Sequence, residues 1–488
     1  MTIFRLILLD LNRQGGGIIR VAGTCLYLPV LSLSALYPII KTDPLFNLCQ
    51  FVSRQTIADI PDAVVHQAKR VLRDTLGVMV AGAASMAVGQ VARQMPLGVS
   101  SRPSTWPGQH GEYHPITAAL LGGMAGSTLE FEEGHARAMG HPAIQIVPAV
   151  VAAAEAAGLS GTHLIEGLIS GYEVACRISQ ACHLREGLHP NGHWGIIGAA
   201  LGVATLSRRL PEALVQVANI AAGLTMNPLV NNSFAGCSIA CTFAGMAGQA
   251  GLMANLFFDS GMRAEPHSLA MTFSRFVSTD FDPVVLATDL GAQYAIGDNY
   301  FKPYPTCRFT HAALDALQQI LDAQVIDPET IDAIDVYSFK AAVHPLTPPT
   351  NLEALRFSIP YLMGMMLAGH GIGLSAFTDQ VLDDPMVARL AGKVRLILDP
   401  AYDAMRPGHS PARVIIRLNT GRELAAEVLS GCGDQSNPLP EQALVDKFLS
   451  LTTPVLGEAR ARQVLAKIDG LENEADVRGV MRLLRPGD

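Results

Sequence analysis

From Pro61 onward the chain repeats apolar residues at steps of three and four. Val65, Ala68, Leu72, Leu76 and Met79 form the first such stripe, and Asp59 with Pro61 supplies a helix start. The same period predicts helices over 115–130, 143–158, 162–183, 194–208, 211–225 and 240–258. Two of these runs are rich in small residues: Gly195, Gly198, Ala199 and Gly202 in one, Gly245, Gly248 and Gly251 in the other. At helical spacing, small side chains let backbones approach closely. The second run is not a dinucleotide loop, because no strand pattern precedes it and it lies inside a helical one. No P-loop and no G-x-S-x-G elbow occurs in the chain.

The pattern changes after about residue 295. Ile334-Asp335-Val336, Val394 to Leu398 and Val414 to Leu418 alternate as strands do. The last of these turns at Asn419-Thr420-Gly421 into Leu424 to Val428, which reads as a β-hairpin. Helical patterns at 309–323 and 358–369 lie between the strands, and the chain is helical again from Pro440. The fold class predicted is therefore mostly helical α+β. An all-helical domain spans 44–295, a smaller α+β domain is inserted over 296–428, and C-terminal helices over 429–488 return to the first domain. Residues 1–43 stand apart. Arg5, Arg13 and Arg20 accompany the mostly apolar stretch from Val21 to Ile40, a basic, acid-poor composition shared with targeting segments. A clean small-residue cleavage pattern is missing, so an extension or a wrongly chosen start codon fits as well.

Hydrophobic residues make up 49% of the chain and the mean hydropathy is +0.28, which raises the question of a membrane. After residue 45 the apolar runs are broken by Gly, His, Arg or Glu before the ~18–20 residues that a span requires. The expectation is a soluble, cytoplasmic protein without membrane contact, with closely packed helices and a substantial oligomer interface. The net charge of −8 comes from well-mixed acids and bases, and the absence of a basic stripe argues against nucleic acid. The eight cysteines have no second pair at zinc-finger spacing and read as buried free thiols in a reducing compartment.

Polar groups between strongly apolar helices are costly unless paired or used. Glu130, Glu132 and Glu133 follow one predicted helix and precede Gly134 and His135. They read either as a solvated turn or as carboxylates in a cleft, where burial raises a pKa toward the range of a general acid or base. His135 reads as a loop residue. His141, before Pro142, and His189, before Pro190, stand near helix starts, where the dipole favours neutral imidazole. His189 and His193 do not form a metal pair at i,i+4 spacing, because Pro190, Asn191 and Gly192 break the helix between them. The stretch from Phe301 to His311 contributes Lys302 and Arg308 as groups able to hold carboxylates. A rigid interdomain linker is the plainer reading of the same stretch. Cys307 has no identifiable base and is a weak nucleophile.

Read together, these stretches resemble the MmgE/PrpD family, which includes 2-methylcitrate dehydratase, cis-aconitate decarboxylase and iminodisuccinate epimerase. The resemblance spans about Asp43 to Leu484. It rests on Leu129-Glu130-Phe131-Glu132-Glu133 with His141-Pro142-Ala143, on Gly171-Tyr172-Glu173-Val174, and on Gly187-Leu188-His189-Pro190 with Gly195 and Gly198. Further matches are Lys302-Pro303-Tyr304-Pro305 with Arg308-Phe309-Thr310-His311, Phe357-Ser358-Ile359-Pro360-Tyr361, and Gly433 to Leu439. It implies a large helical domain with an α+β lid, an active site between them, a homodimer, and chemistry on small polycarboxylates without cofactor or metal. By position the family's acid falls on Glu130, its two histidines on His141 and His189, and its lid tyrosine on Tyr361. This chain departs from the family pattern in three residues and in the spacing to His141, which is one residue longer. Glu130 replaces an Asp, Gly134 replaces a Thr, and Ala240 stands where a basic residue is usual, a change that disfavours a citrate-like tricarboxylate.

The leading expectation is a lyase of the dehydratase type that removes a proton α to a carboxylate of a small hydroxy acid. One histidine acts as base, Glu130 or the other histidine as acid, and Lys302 and Arg308 hold carboxylates. The resemblance also permits an epimerase or a decarboxylase. A non-catalytic dimeric relative is the reading from another class, motivated by Gly134 and Ala240.

Overall fold

Along the helix Asp62–Gly82, the periodic residues Ala68, Leu72, Leu76 and Met79 are buried. They join a core that runs through the helices Pro115–Thr128, Pro142–Ala157, Gly161–Gln180, Pro211–Ala222 and Thr242–Asp259. At its centre lies Trp194–Leu206, every residue of which is buried, as expected of a helix that is apolar on all sides. The high hydropathy is thus absorbed by helix-on-helix packing. Among the described residues no single helix is long and apolar enough to cross a membrane. The computed structural model describes residues 40–95, 100–343 and 348–487, with the backbone of 16–21 and 24–29. Most of the segment read as an extension or targeting sequence lies outside them; within it, Gly16–Val21 pairs antiparallel with Thr24–Pro29.

The small residues have the use that their spacing suggested. A Cβ on Gly198 would stand 2.6 Å from the carbonyl oxygen of Gly171, and one on Gly171 would stand 2.6 Å from that of Gly198. The helices Gly161–Gln180 and Trp194–Leu206 therefore cross with backbones in contact. Gly123 and Gly245 give the same close approach between Pro115–Thr128 and Thr242–Asp259.

A second core gathers residues between Ala312 and Val428. Its four-stranded sheet has the order Val394–Leu398, Ile331–Ser338, Ala412–Leu418, Glu423–Val428, with the first pair parallel and the others antiparallel. The hairpin turns at Gly421, whose φ of +82° suits a residue without Cβ. The helices His311–Ala323 and Ile359–Leu367 contribute buried faces to this core. The chain then returns to the first unit: Phe448 and Leu451 of the helix Glu441–Leu456 lie against Gly77. The fold is mostly helical α+β. A short antiparallel pair, Gly134–His135 with Asn299–Tyr300, ties the loop after the helix Pro115–Thr128 to the start of the second unit.

Candidate active site

The strand pair Gly134–His135 and Asn299–Tyr300 places Lys302 beside the acidic loop, about 170 residues away in sequence. Lys302 is fully buried. Its Nζ donates to the Glu130 carbonyl at 2.9 Å and to Glu130 Oε1 at 2.8 Å, and lies 3.7 Å from Glu132 Oε2. Glu130 itself has a φ of +51°, a strained position for a residue with a Cβ, of a kind found at functional sites. The loop around it is bolted down from behind. The Glu133 side chain accepts from the Ala143 N–H at 2.8 Å and from Tyr172 Oη at 2.9 Å. Asp74 accepts from the Glu133 N–H at 3.0 Å and pairs with Lys447 at 2.7 Å.

The two neighbouring glutamates ionise in opposite directions. Burial opposes the charge on Glu130, but the Lys302 ammonium, its hydrogen bond and the nearby His141 and His189 together hold the carboxyl below its ordinary range. Glu132 is raised to about 8, first by burial and then by the Glu130 charge, against the pull of Lys302. A pair pushed apart in this way supplies one fixed anion and one proton carrier near neutral pH. The expectation that burial in a cleft raises a carboxyl of this cluster holds for Glu132 and for Glu133, raised to about 7 by burial, but not for Glu130.

The histidines are fixed in complementary states. His141 Nδ1 lies 2.8 Å from the Glu133 carbonyl oxygen. A carbonyl only accepts, so Nδ1 carries the proton and Nε2 keeps a lone pair. His189 Nδ1 accepts from the Asn191 N–H at 3.1 Å, which puts the ring proton on Nε2. Both rings stay neutral. His141 is lowered to about 4 by burial and then by Lys302, and His189 to about 3 by burial and then by His141. His141 is the N-cap residue of the helix Pro142–Ala157, as its sequence position suggested; burial is the main cause of its shift, where the helix dipole was expected. His135 uses both nitrogens, taking the Ala138 N–H and facing the Ala295 carbonyl, and is structural.

These groups line one cavity of about 420 Å³ where the helical unit meets the second one, with Glu130, Glu132, His141 and His189 in its wall, a size that suits a small metabolite. Arg308 also lines it but is already engaged: Nη2 pairs with Asp434 at 2.5 Å and donates to the Gly431 carbonyl at 3.1 Å. Lys302 is not in the cavity wall; it stands behind Glu130 and sets the charge of that carboxylate. Tyr361, expected from the resemblance as a catalytic group, is half-buried against the second core and does not line the cavity either. From the same segment Arg356 and Phe357 do. Arg356 and Arg406 are the residues that sequence reasoning missed; the only signal was that Arg356 directly precedes the Phe357-Ser358-Ile359 match. Burial pushes the Cys307 thiol up to about 12, which disfavours it as a nucleophile.

Glu130, Glu132 and His141 offer ligand atoms within 4.8 Å of one another. As a metal site the set does not fit. The Lys302 ammonium already contacts both carboxylates, and a cation bound among them would meet its charge.

The family model described as the MmgE/PrpD N-terminal domain matches residues 47–284, and that described as the MmgE/PrpD C-terminal domain matches residues 304–472. A cis-aconitate decarboxylase of Aspergillus terreus is 23% identical over 478 residues, covering 90% of this chain and 95% of that protein. The cis-aconitate decarboxylase of Mus musculus is 24% identical over 464 residues, covering 87% and 90%. That of Homo sapiens is 22% identical over 462 residues, covering 88% and 92%.

Proposed function

The chain belongs to the MmgE/PrpD family, and from that premise we propose that the cavity is the active site of a carbon–carbon lyase that decarboxylates a small unsaturated polycarboxylate of the cis-aconitate type. The observation that carries this reading is the pair of complementary imidazoles, His141 with a free lone pair and His189 with Nε2–H, beside a fixed carboxylate in one cavity. Decarboxylation, dehydration and epimerisation all need proton transfer at a carbon next to a carboxylate, and such a pair serves it. Decarboxylation takes precedence over the dehydration that the sequence suggested on two grounds. The relatives matched along most of their length are named as cis-aconitate decarboxylases. Much of the cavity wall is also apolar, with Val230, Phe234, Ala240 and Phe357 in it. A departing carboxylate stripped of water is destabilised there relative to the charge-dispersed transition state.

In this reaction the bond from carbon to the leaving carboxylate breaks and its electron pair forms a new carbon–carbon double bond. The old π pair moves to the adjacent carbon, which takes one proton, and carbon dioxide departs. His189 at Nε2 and Glu132 as a carboxylic acid line the cavity and carry a proton at neutral pH, and these are the proton donors of this reading. Glu130 stays ionised beside Lys302 and keeps the site's charge fixed. The protein acts in this reading as a homodimeric cytoplasmic enzyme. The dimer follows the family resemblance and is tested by light scattering.

The test is incubation of the protein with cis-aconitate in deuterated water. The expected result is one carbon-bound deuterium in the product per carbon dioxide released, with rates lower by ~10²–10⁴ in His141→Gln and His189→Gln. Water loss from a hydroxy acid without carbon dioxide would make the enzyme a dehydratase. Deuterium exchange alone would make it an epimerase. Absence of all three across a panel of di- and tricarboxylates would leave a non-catalytic relative.

A further inference from the structure

Three arginines line the cavity, and they are not equivalent. Arg308 is neutralised by Asp434 and occupied by the carbonyls of Gly431 and Cys432. Arg356 and Arg406 have no carboxylate within 4 Å among the described residues. Arg356 is only 6% exposed. Its guanidinium stacks on Phe377 at 4.3 Å and donates once, from Nη1 to the Pro305 carbonyl at 2.7 Å. Arg406 stacks on Phe339 at 4.6 Å and donates to Ser410 Oγ. Stacking on a ring fixes the plane of a guanidinium and leaves its N–H edge available.

A buried cation without a counter-ion is costly, and Arg356 is one; Arg406, half-buried, lines the same cavity. The other fixed charges of the site cancel locally, Glu130 with Lys302 and Arg308 with Asp434. Glu353 also lines the cavity, but pairs with neither arginine within 4 Å. The wall therefore holds more unpaired positive than negative charge, all of it on the second unit, while the imidazoles come from the helical unit. Burial also lowers Arg356, to about 10, against the pull of Glu130, Glu353 and Glu132, none of which is within 4 Å of it.

We propose that Arg356 and Arg406 each bind a carboxylate of the substrate, forming a two-point clamp that selects polycarboxylates and holds the acid groups that survive the reaction. The inference rests on the carboxylate-lyase reading of the same cavity. It goes beyond that reading by assigning the ligands and the minimum charge of the substrate.

The experiment is calorimetric titration of the full-length protein with tricarballylate, a saturated tricarboxylate that cannot react, and with butyrate, its singly charged counterpart. Wild type should bind tricarballylate and scarcely bind butyrate. Arg356→Gln and Arg406→Gln should each weaken tricarballylate by at least roughly tenfold, the lower limit for a lost charge-assisted contact. The corresponding lysine variants should recover part of that loss, and they replace any glutamine variant whose melting curve shows misfolding. Variants that bind tricarballylate within about twofold of wild type would overturn the clamp. So would a wild-type protein that binds butyrate as tightly as tricarballylate, or that binds neither. Parallel assays of carbon dioxide release separate the two claims. Release with an unchanged KM in the arginine variants removes the clamp and leaves the reaction standing. Arginine-dependent binding without release removes the reaction and leaves the clamp.

Discussion

Lys302 Nζ and Glu130 Oε1 stand 2.8 Å apart, and the lysine has no exposed surface at all. The pair joins the two units of the molecule beside the cavity, whose wall includes Glu130. A buried pair contributes little net stability, but breaking it from one side leaves a charge without a partner. Lys302→Met should therefore cost ~3–5 kcal/mol in urea unfolding, and Glu130→Gln combined with it should recover most of that loss. A cost below about 1 kcal/mol, the range of an exposed pair, would show that the lysine is not holding Glu130 in solution.

Glu132 gives the site a pH signature of defined sign. Its carboxyl ionises near ~4.3 in the unfolded chain and is raised to about 8 in the folded one. The native state therefore retains a proton that the unfolded state has lost. The stability linked to it is full below the unfolded pKa and disappears as the pH rises through about 8. His141 and His189 have lowered values and act oppositely, contributing stability above ~6.5 that is lost on acidification. Comparison with Glu132→Gln, neutral at every pH, isolates the carboxyl. Wild type should lose stability relative to this variant between about pH 5 and about pH 8.5. A flat difference across that range would mean that Glu132 is already ionised at the lower end.

Much of this arrangement was legible along the chain, for a physical reason. Periodicity reports burial, so the helix Asp62–Gly82, the long helices between Pro115 and Asp259 and the hairpin around Gly421 could be read from which residues avoid water, whereas the shorter helix Met86–Gln94 could not. The short-range setting of His141 could also be read, since Pro142 opens its helix. Pairings made across the chain could not. Nothing local says that Tyr300 lies opposite Gly134, so the pairing of Lys302 with Glu130 had no signal in the sequence around either residue. The relative ionisation of Glu130 and Glu132 depends on that same long-range contact. Arg356 and Arg406 sit in stretches with no periodic signal of their own, and only the folded second unit brings both to the cavity.

The Gly134 departure has a structural counterpart. A Cβ at this position would overlap the Tyr300 hydroxyl and stand 3.0 Å from His141 Nδ1, so the tyrosine takes the space that a threonine side chain would need. Gly134→Thr should destabilise the protein by ~1–3 kcal/mol, as overpacking of a dense core does, and should disturb His141. Tyr300→Ala opens room at the same spot. The double variant should then be less destabilised than the sum of the singles by at least about 1 kcal/mol, within the range for residues in contact. Strict additivity in denaturant titrations would mean that the two positions do not compete for this volume.

Ala240 has the opposite consequence, because nothing charged replaces what the family usually carries there. It lines the cavity from the short turn Ser238–Cys241. Val230, Cys237 and the edge-to-face pair of Phe234 and Phe357, with centroids 5.6 Å apart, line the same cavity and supply its apolar surface. With Arg356 and Arg406 on the far unit as anion ligands, this apolar wall faces the carboxylate that leaves in the proposed reaction, and in the ground state it favours an uncharged substituent over that charge. A dicarboxylate bearing a short alkyl group should accordingly bind wild type more tightly than its unsubstituted parent, by ~0.8 kcal/mol per methylene buried. Ala240→Lys should reverse the order. The added ammonium would reward a third carboxylate by roughly ten- to a hundredfold in Kd and would find nothing to pair with on the alkyl chain. Calorimetry on the two ligand series reads both effects. Equal gains for all ligands in Ala240→Lys would show that the lysine acts only as a distant charge, and that the apolar wall does not face the bound substrate.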